Sequence, residues 1–186
     1  MRIAVIGPQN AGKTTFIKDF LKEFTSYETT KDTYRDHVAE IGLPINQETN
    51  ESSQRAILDF LYNQTIDNRN ENVIFDRCVV DNYVYTHSAY LRGRASKELL
   101  LLTEGKMYDQ LTQLDCLVFI PTSAGVKLEN DSFRDIDTGF VDAINRLFIE
   151  ALLDIAGRTS MTIFVVTGNR EERVSIVRQK ISQNKD

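Results

Sequence analysis

The run Gly7-Pro8-Gln9-Asn10-Ala11-Gly12-Lys13-Thr14 constrains this chain more than any other stretch. It has the form G-x-x-x-x-G-K-[ST], in which each fixed residue has a physical task. Gly7 lets the chain turn sharply off the apolar run RIAVI, and Gly12 lets main chain approach a ligand where a Cβ would intrude. Successive main-chain N–H groups then converge at the start of a helix, where the dipole also favours negative charge. Lys13 brings a point charge to the outer oxygens of a polyphosphate, and the Thr14 hydroxyl is suited to a magnesium ion. Gly7, Asn10, Ala11, Gly12, Lys13, Thr14 and Thr15 are therefore the expected nucleotide-binding residues. Average composition gives a chance match of order one in a hundred, and the strand-like and helix-like flanks lower that figure.

Those flanks belong to a longer alternation. Arg2 to Ile6 reads as a buried strand, and Lys13 to Phe24 as a helix with Phe16, Ile17, Phe20, Leu21 and Phe24 on one face. A weak strand is expected near Ser26 to Thr30. Glu51 to Asp67 is helical, with Ile57, Leu58, Leu61 and Tyr62 as its stripe, and Asn72 to Phe75 is a strand. Val79 to Leu91 and Ser96 to Leu114 read as helices, and Cys116 to Ile120 as a strand closed by Pro121. Phe140 to Ala156 is a helix stopped by Gly157, Thr162 to Val166 the last strand, and Glu171 to Ile181 the last helix. Strands separated by helices imply βαβ units, hence an α/β fold with a parallel sheet covered on both faces. The runs IAVI, VIF, CLVFI and TIFVV are continuously apolar, as strands buried on two sides must be.

The chain has 186 residues, enough for one domain, expected over 1–186, that buries its own core. Two cysteines, Cys78 and Cys116, are too few for a disulfide framework or a zinc site. No apolar run reaches the length of about 18 residues needed to cross a bilayer, and MRIAVIG lacks the form of a signal peptide. A cytoplasmic location without membrane contact is the expectation. The formal net charge of −5 argues against a broad nucleic-acid surface. The clusters Arg92, Arg94, Lys97 and Arg170, Arg173, Arg178, Lys180 read as solvated helix faces. Leu99 to Leu102 and Leu111 fit either a homodimer face or core packing.

The N-terminal block resembles that of P-loop nucleoside triphosphate-binding proteins, which include motors, switches, ATPases and kinases. A second constellation narrows the choice. Asp76 ends the strand NVIFD beside the loop, where an acid can hold Mg²⁺ with Thr14 or can cap a helix. Arg77 can pair with phosphate or with a surface acid. Asp81 and Tyr85 follow on one helical face, where they line a substrate pocket or simply pack. This D-R-x-x-x-D-x-x-x-Y pattern resembles nucleoside and nucleotide kinases: thymidylate kinase, the deoxynucleoside kinases, and the small ATPase/kinase family containing the ribosylnicotinamide kinase domain. The likeness spans most of the chain.

The resemblance implies a three-layer P-loop fold: five parallel strands in the order 2-3-1-4-5, helices on both faces and a short lid. It implies ATP and Mg²⁺ as cofactors, with Lys13, Asp76 and Arg77 at the transfer site. An acid at the end of strand 2, Asp32 or Glu28, would serve as base, and Arg35 would anchor the acceptor with Arg77, Asp81 and Tyr85. The lid would lie over Thr122 to Asp137, carrying Lys127 and the transfer-site arginine Arg134. The Glu-Pro or Arg-Glu-Pro signature of the best-known relatives is missing, so the acceptor stays open. The expected activity is phosphoryl transfer from ATP to a small acceptor, a nucleoside or nucleotide. A modified nucleotide within DNA and a partner-coupled ATPase are the alternatives. A switch-type GTPase would need Asn-Lys-x-Asp, which is absent. His37 and His87 read as packing residues.

Overall fold

The structure, a computed structural model, describes residues 1–44, 48–122 and 138–183. Strands β1 (Arg2–Ile6), β2 (Glu28–Thr29), β3 (Val73–Asp76), β4 (Cys116–Phe119) and β5 (Thr162–Val165) pair in parallel into one sheet, in the order β2-β3-β1-β4-β5. This is the order that the resemblance implies. Helices α1 (Lys13–Glu23), α2 (Tyr34–Glu40), α3 (Glu51–Asp67), α4 (Val79–Leu91), α5 (Lys97–Leu111), α6 (Thr138–Arg158) and α7 (Arg170–Gln183) connect and cover the strands.

β1 lies at the centre, and Ile3, Ala4, Val5 and Ile6 are all fully buried. Strand side chains alternate between faces, so this one run feeds two cores. Ala4 and Ile6 join Phe75, Leu117 and Phe119 against α3 to α6. Ile3 and Val5 join Ile74, Val118 and Phe164 against α1 and α7. On α1, Phe16, Ile17 and Phe20 face that second core, and Phe20 stacks on Phe24 with ring centroids 4.4 Å apart.

Two features depart from the periodicity reading. α2 is not visible in the pattern, because its seven residues bury only Val38. What starts it is a capping box: Thr33 Oγ1 accepts from Asp36 N–H, while the Asp36 carboxylate accepts from Thr33 N–H, each at 3.3 Å. Gly157 does not stop α6, which runs to Arg158. Arg158 reaches back to Asp154 at 2.8 Å, one turn earlier, and across to Glu104.

One buried amide sets the start of α4. Gln110 Oε1 accepts from Val79 N–H at 2.7 Å, satisfying a donor that the helix itself leaves open. The Gln110 Nε2 group donates to Leu61 O at 2.8 Å and Thr65 Oγ1 at 3.0 Å on α3. α3, α4 and α5 are thus locked together behind the corner that carries Arg77 and Asp81. Leu99 and Leu111 turn into the core, whereas Leu101 and Leu102 are exposed. Among the described residues no helix is long and apolar enough to cross a membrane.

Candidate active site: a phosphate loop and an adjoining pocket

The turn between β1 and α1 is built as its glycines require. Gly7 has φ +143°, and a Cβ there would overlap the carbonyl oxygen of Ile120 at the end of β4. Gly12 caps α1 at φ +88°, in the left-handed region that favours glycine. Asn10 has φ +63°, which asparagine tolerates better than most side chains. Lys13 points into the loop, where Nζ donates to Gly7 O and Pro8 O, both at 2.6 Å. Burial and then the nearby Arg77 cation pull the pKa of this ammonium well below its ordinary value, an environment that an anion would relieve. Asn10 Oδ1 and Nδ2 and Gln9 Nε2 are buried and find no partner among the described residues. A glycine-bounded cradle holding a cation and orphaned polar atoms fits a polyphosphate.

At the mouth of α1, Thr14 Oγ1 donates to Asp76 Oδ2 at 2.9 Å. The two oxygens come from the first turn of α1 and from the end of β3, and both are hard ligands of the kind Mg²⁺ takes. Thr15 is exposed on the same first turn. Among the described residues no group of three or more His, Cys, Asp or Glu gathers as an all-protein metal cage.

Arg77 follows Asp76 at φ +81°, a conformation that side chains other than glycine seldom adopt. It is pinned there. Its N–H donates to Val5 O at 3.0 Å, and its Nη1 pairs with Asp81 Oδ1 at 2.8 Å, with both side chains buried. Asp81 also accepts from Gly7 N–H at 3.4 Å and Cys78 N–H at 3.3 Å. One carboxylate thus joins the phosphate loop to the β3–α4 corner. Burial pushes the Asp81 carboxyl up, against the pull of Arg77 and Lys13. Burial works against the Arg77 charge too, yet Tyr34, Asp81 and Tyr85 hold its pKa above the ordinary value. The guanidinium lies between two rings, 5.0 Å from Tyr34 and 5.8 Å from Tyr85. Tyr85 hydrogen-bonds the Gln9 side chain and accepts from Gln9 N–H at 3.2 Å, and burial pushes its phenol up to about 12.

These groups form one wall of a pocket enclosing about 330 Å³, solvent at its mouth included. Arg77, Asp81, Asn82 and Tyr85 supply the polar side, and Tyr34, Ile57 and Leu61 the apolar side, with Gln54 between them. The Asn82 amide has a fixed orientation. Its Nδ2 donates to Gln54 O at 2.9 Å, a main-chain oxygen that can only accept, and to Gln54 Oε1 at 2.8 Å. Asn82 Oδ1 is left buried and without a partner among the described residues. The Gln54 Nε2 group is held in turn by Thr49 Oγ1 at 2.6 Å.

The expected residues divide as follows. The loop, Asp76, Arg77, Asp81 and Tyr85 come together around Lys13 and the pocket. Arg35 lies on α2 with Cζ 5.5 Å from the Tyr34 ring, and its Nε is buried without a partner among the described residues. Asp32 is exposed and does not line the pocket, and its main-chain oxygen accepts from Gln64. Glu28 is exposed on β2. Arg134, Lys127 and the lid lie outside the described residues, apart from Thr122. His37 stacks on Phe60 at 5.2 Å and His87 packs beside Tyr83, so both are packing residues. Gln54, Asn82 and Tyr34 were not singled out from sequence. Gln54 carries a signal in retrospect, since it stands at the head of the stripe Ile57, Leu58, Leu61 as a polar residue in an apolar series.

A family model described as an AAA domain matches residues 2–173. No curated protein sequence matches the chain. Among solved structures, the chain is similar to deoxyadenosine kinase from M. mycoides with the products dCMP and dCDP bound. That likeness has a TM-score of 0.74 and 18% identity and covers 98% of this chain and 100% of that one. It is also similar to the NadR protein in complex with NR, at TM-score 0.69 and 15% identity, over 95% of this chain and 50% of that one. The chain therefore spans about half the length of NadR, and its fold is that of the P-loop nucleoside kinases.

Proposed function

We propose, from the premise that this chain belongs to the AAA domain family, that it transfers the γ-phosphoryl group of ATP to a small acceptor, a nucleoside or nucleotide. The observation that carries this reading is Asp81, whose one carboxylate binds Gly7 N–H in the phosphate loop and Arg77 in the pocket wall. A pocket joined to the triphosphate cradle is what transfer to a bound acceptor requires. The fold is shared with a kinase solved with dATP and with NadR solved with AMP-PNP, which supports the choice of donor.

In this reading the main-chain N–H groups of residues 10–15 hold the phosphates, and the Lys13 ammonium serves the β and γ oxygens. Thr14 and Asp76 would hold Mg²⁺, which would neutralise charge on the phosphates. Arg77, kept charged and oriented by Asp81, Tyr34 and Tyr85, meets the acceptor at the loop side of the pocket. Gln54 and Asn82 read polar edges of the acceptor at the far side, and Arg35 anchors it from α2. Asp32, the expected base, is exposed and lines no part of the pocket, so that role is not assigned to it, and Arg134 is assigned as the arginine that meets the moving phosphoryl group. Catalysis of this kind is mostly positioning and electrostatics, so few residues suffice.

The test is ADP production from ATP and Mg²⁺ across a panel of nucleosides, nucleotides and short DNA duplexes. The expected result is little ADP without acceptor, strong production with one class of small acceptor, and none in Lys13→Ala. The AAA description favours a second reading, an ATPase coupled to a partner. ADP formation indifferent to every panel member would establish that reading and end the kinase one.

A further inference from the structure

The cations of α7 are not one solvated face. Arg170 pairs with Asp19 at 2.7 Å and Arg178 with Glu23, which ties α7 to α1 along the surface. Arg173 pairs with no carboxylate among the described residues. Its Nη1 donates to Ala11 O at 2.8 Å, inside the phosphate loop, and its Nε donates to Gly168 O at 2.9 Å. The side chain is partly buried there, and burial pulls its pKa down, which marks a cation placed without a counter-ion. The path to the loop is shaped for it. Gly168 turns at φ +91° where a Cβ would overlap Glu172, whose carboxylate accepts from Asn169 N–H at 2.7 Å and opens α7. A Cβ on Gly12 would stand 2.9 Å from Arg173 Nη1, so the guanidinium covers the outer side of the loop.

The Ala11 carbonyl and the Gly12 N–H belong to one planar trans peptide and point in opposite directions. A carbonyl held outward by Arg173 turns the Gly12 N–H inward. We propose that Arg173 is a positioning residue for the phosphate cradle, aiming the Gly12 N–H through the Ala11–Gly12 peptide and anchoring the loop to the β5–α7 corner. The charge also polarises that peptide, which strengthens the N–H as a donor. A planar fork reaching two carbonyls is a task for Arg rather than Lys. The inference rests on the reading of the loop as a nucleotide site but is indifferent to the acceptor.

The experiment measures the affinity of the full chain for Mg·ATP and for inorganic tripolyphosphate by calorimetry. Arg173→Ala is expected to weaken both by the same factor, about tenfold to a hundredfold, the range of a lost charge-assisted hydrogen bond. Arg173→Lys regains part of the loss, Arg170→Ala binds like the wild type, and the acceptor KM is unmoved. In ¹H–¹⁵N spectra the Gly12 amide shifts in Arg173→Ala before any ligand is added. Wild-type affinity in Arg173→Ala overturns the proposal. So does a loss confined to ATP, which would place Arg173 at the base, or an equal loss in Arg170→Ala, which would reduce the effect to helix docking. Should Arg173→Ala not fold, Arg173→Lys and Arg173→Gln take its place, and wild-type affinity in both overturns the proposal. A wild-type chain that binds neither ligand sinks the nucleotide reading itself, and this inference with it.

Discussion

At the scale of single residues the site depends on backbone conformation and on one carboxylate. Gly7→Ala places a side chain at φ +143° against Ile120, so the expected loss exceeds about 1 kcal/mol from backbone strain alone, with the contact adding to it. Urea unfolding measures that loss, and an unchanged midpoint would contradict the geometry. Asp81→Asn removes the charge that balances Arg77 in a buried pair, and the expected cost is about 3–5 kcal/mol by the same measurement. Asp76→Asn differs, because it keeps an oxygen for Thr14 and loses only charge. The expected result is unchanged stability with the Mg²⁺ requirement raised about 10–100-fold. Normal metal dependence in that variant removes Asp76 from the site. Arg77 shows why residue types alone mislead. Its sequence neighbours fit a surface ion pair as well as a phosphate ligand, and only the fold buries it between two tyrosines.

At the scale of elements, the long strands and helices are those that periodicity gives, because each spends most of its residues on a core face. α2 shows the limit of that signal. It buries one residue yet carries Tyr34 to the pocket, with Arg35 against that ring, and a local cap joins the contacts of Val38 and His37 in holding it. Thr33→Ala is expected to cost α2 about 1 kcal/mol. The acceptor KM should then rise severalfold while the global unfolding midpoint stays put. A shifted midpoint with an unchanged KM would mean that α2 supports the core and not the site.

At the scale of the whole molecule, the core keeps both thiols out of reach, one on β4 and one at the cap of α4. Cys78 and Cys116 are free and buried, and burial pushes both up, Cys116 to about 12. Their stabilising contribution is complete below the ordinary thiol range and is lost as the pH climbs toward those folded values. At pH 8 alkylation should be slow in the native protein and fast in urea, read by mass spectrometry, and equal rates would show that β4 and the start of α4 open freely. The same burial divides what is local from what is not. The phosphate loop, its strand and its helix were legible in sequence, because a turn, a charge and an apolar run need only neighbours along the chain. The pocket beside the loop was half legible: Asp81 and Tyr85 came from a motif, whereas Asn82 and Gln54 became pocket residues only when α4 packed on α3. The contact from Gly7 to Asp81 spans 74 positions and that from Arg173 to Ala11 spans 162. The sequence by itself determined a nucleotide-type loop on a parallel sheet. Which carboxylate braces that loop and which arginine aims its amides were decided by tertiary packing, since no local pattern encodes a partner so far along the chain.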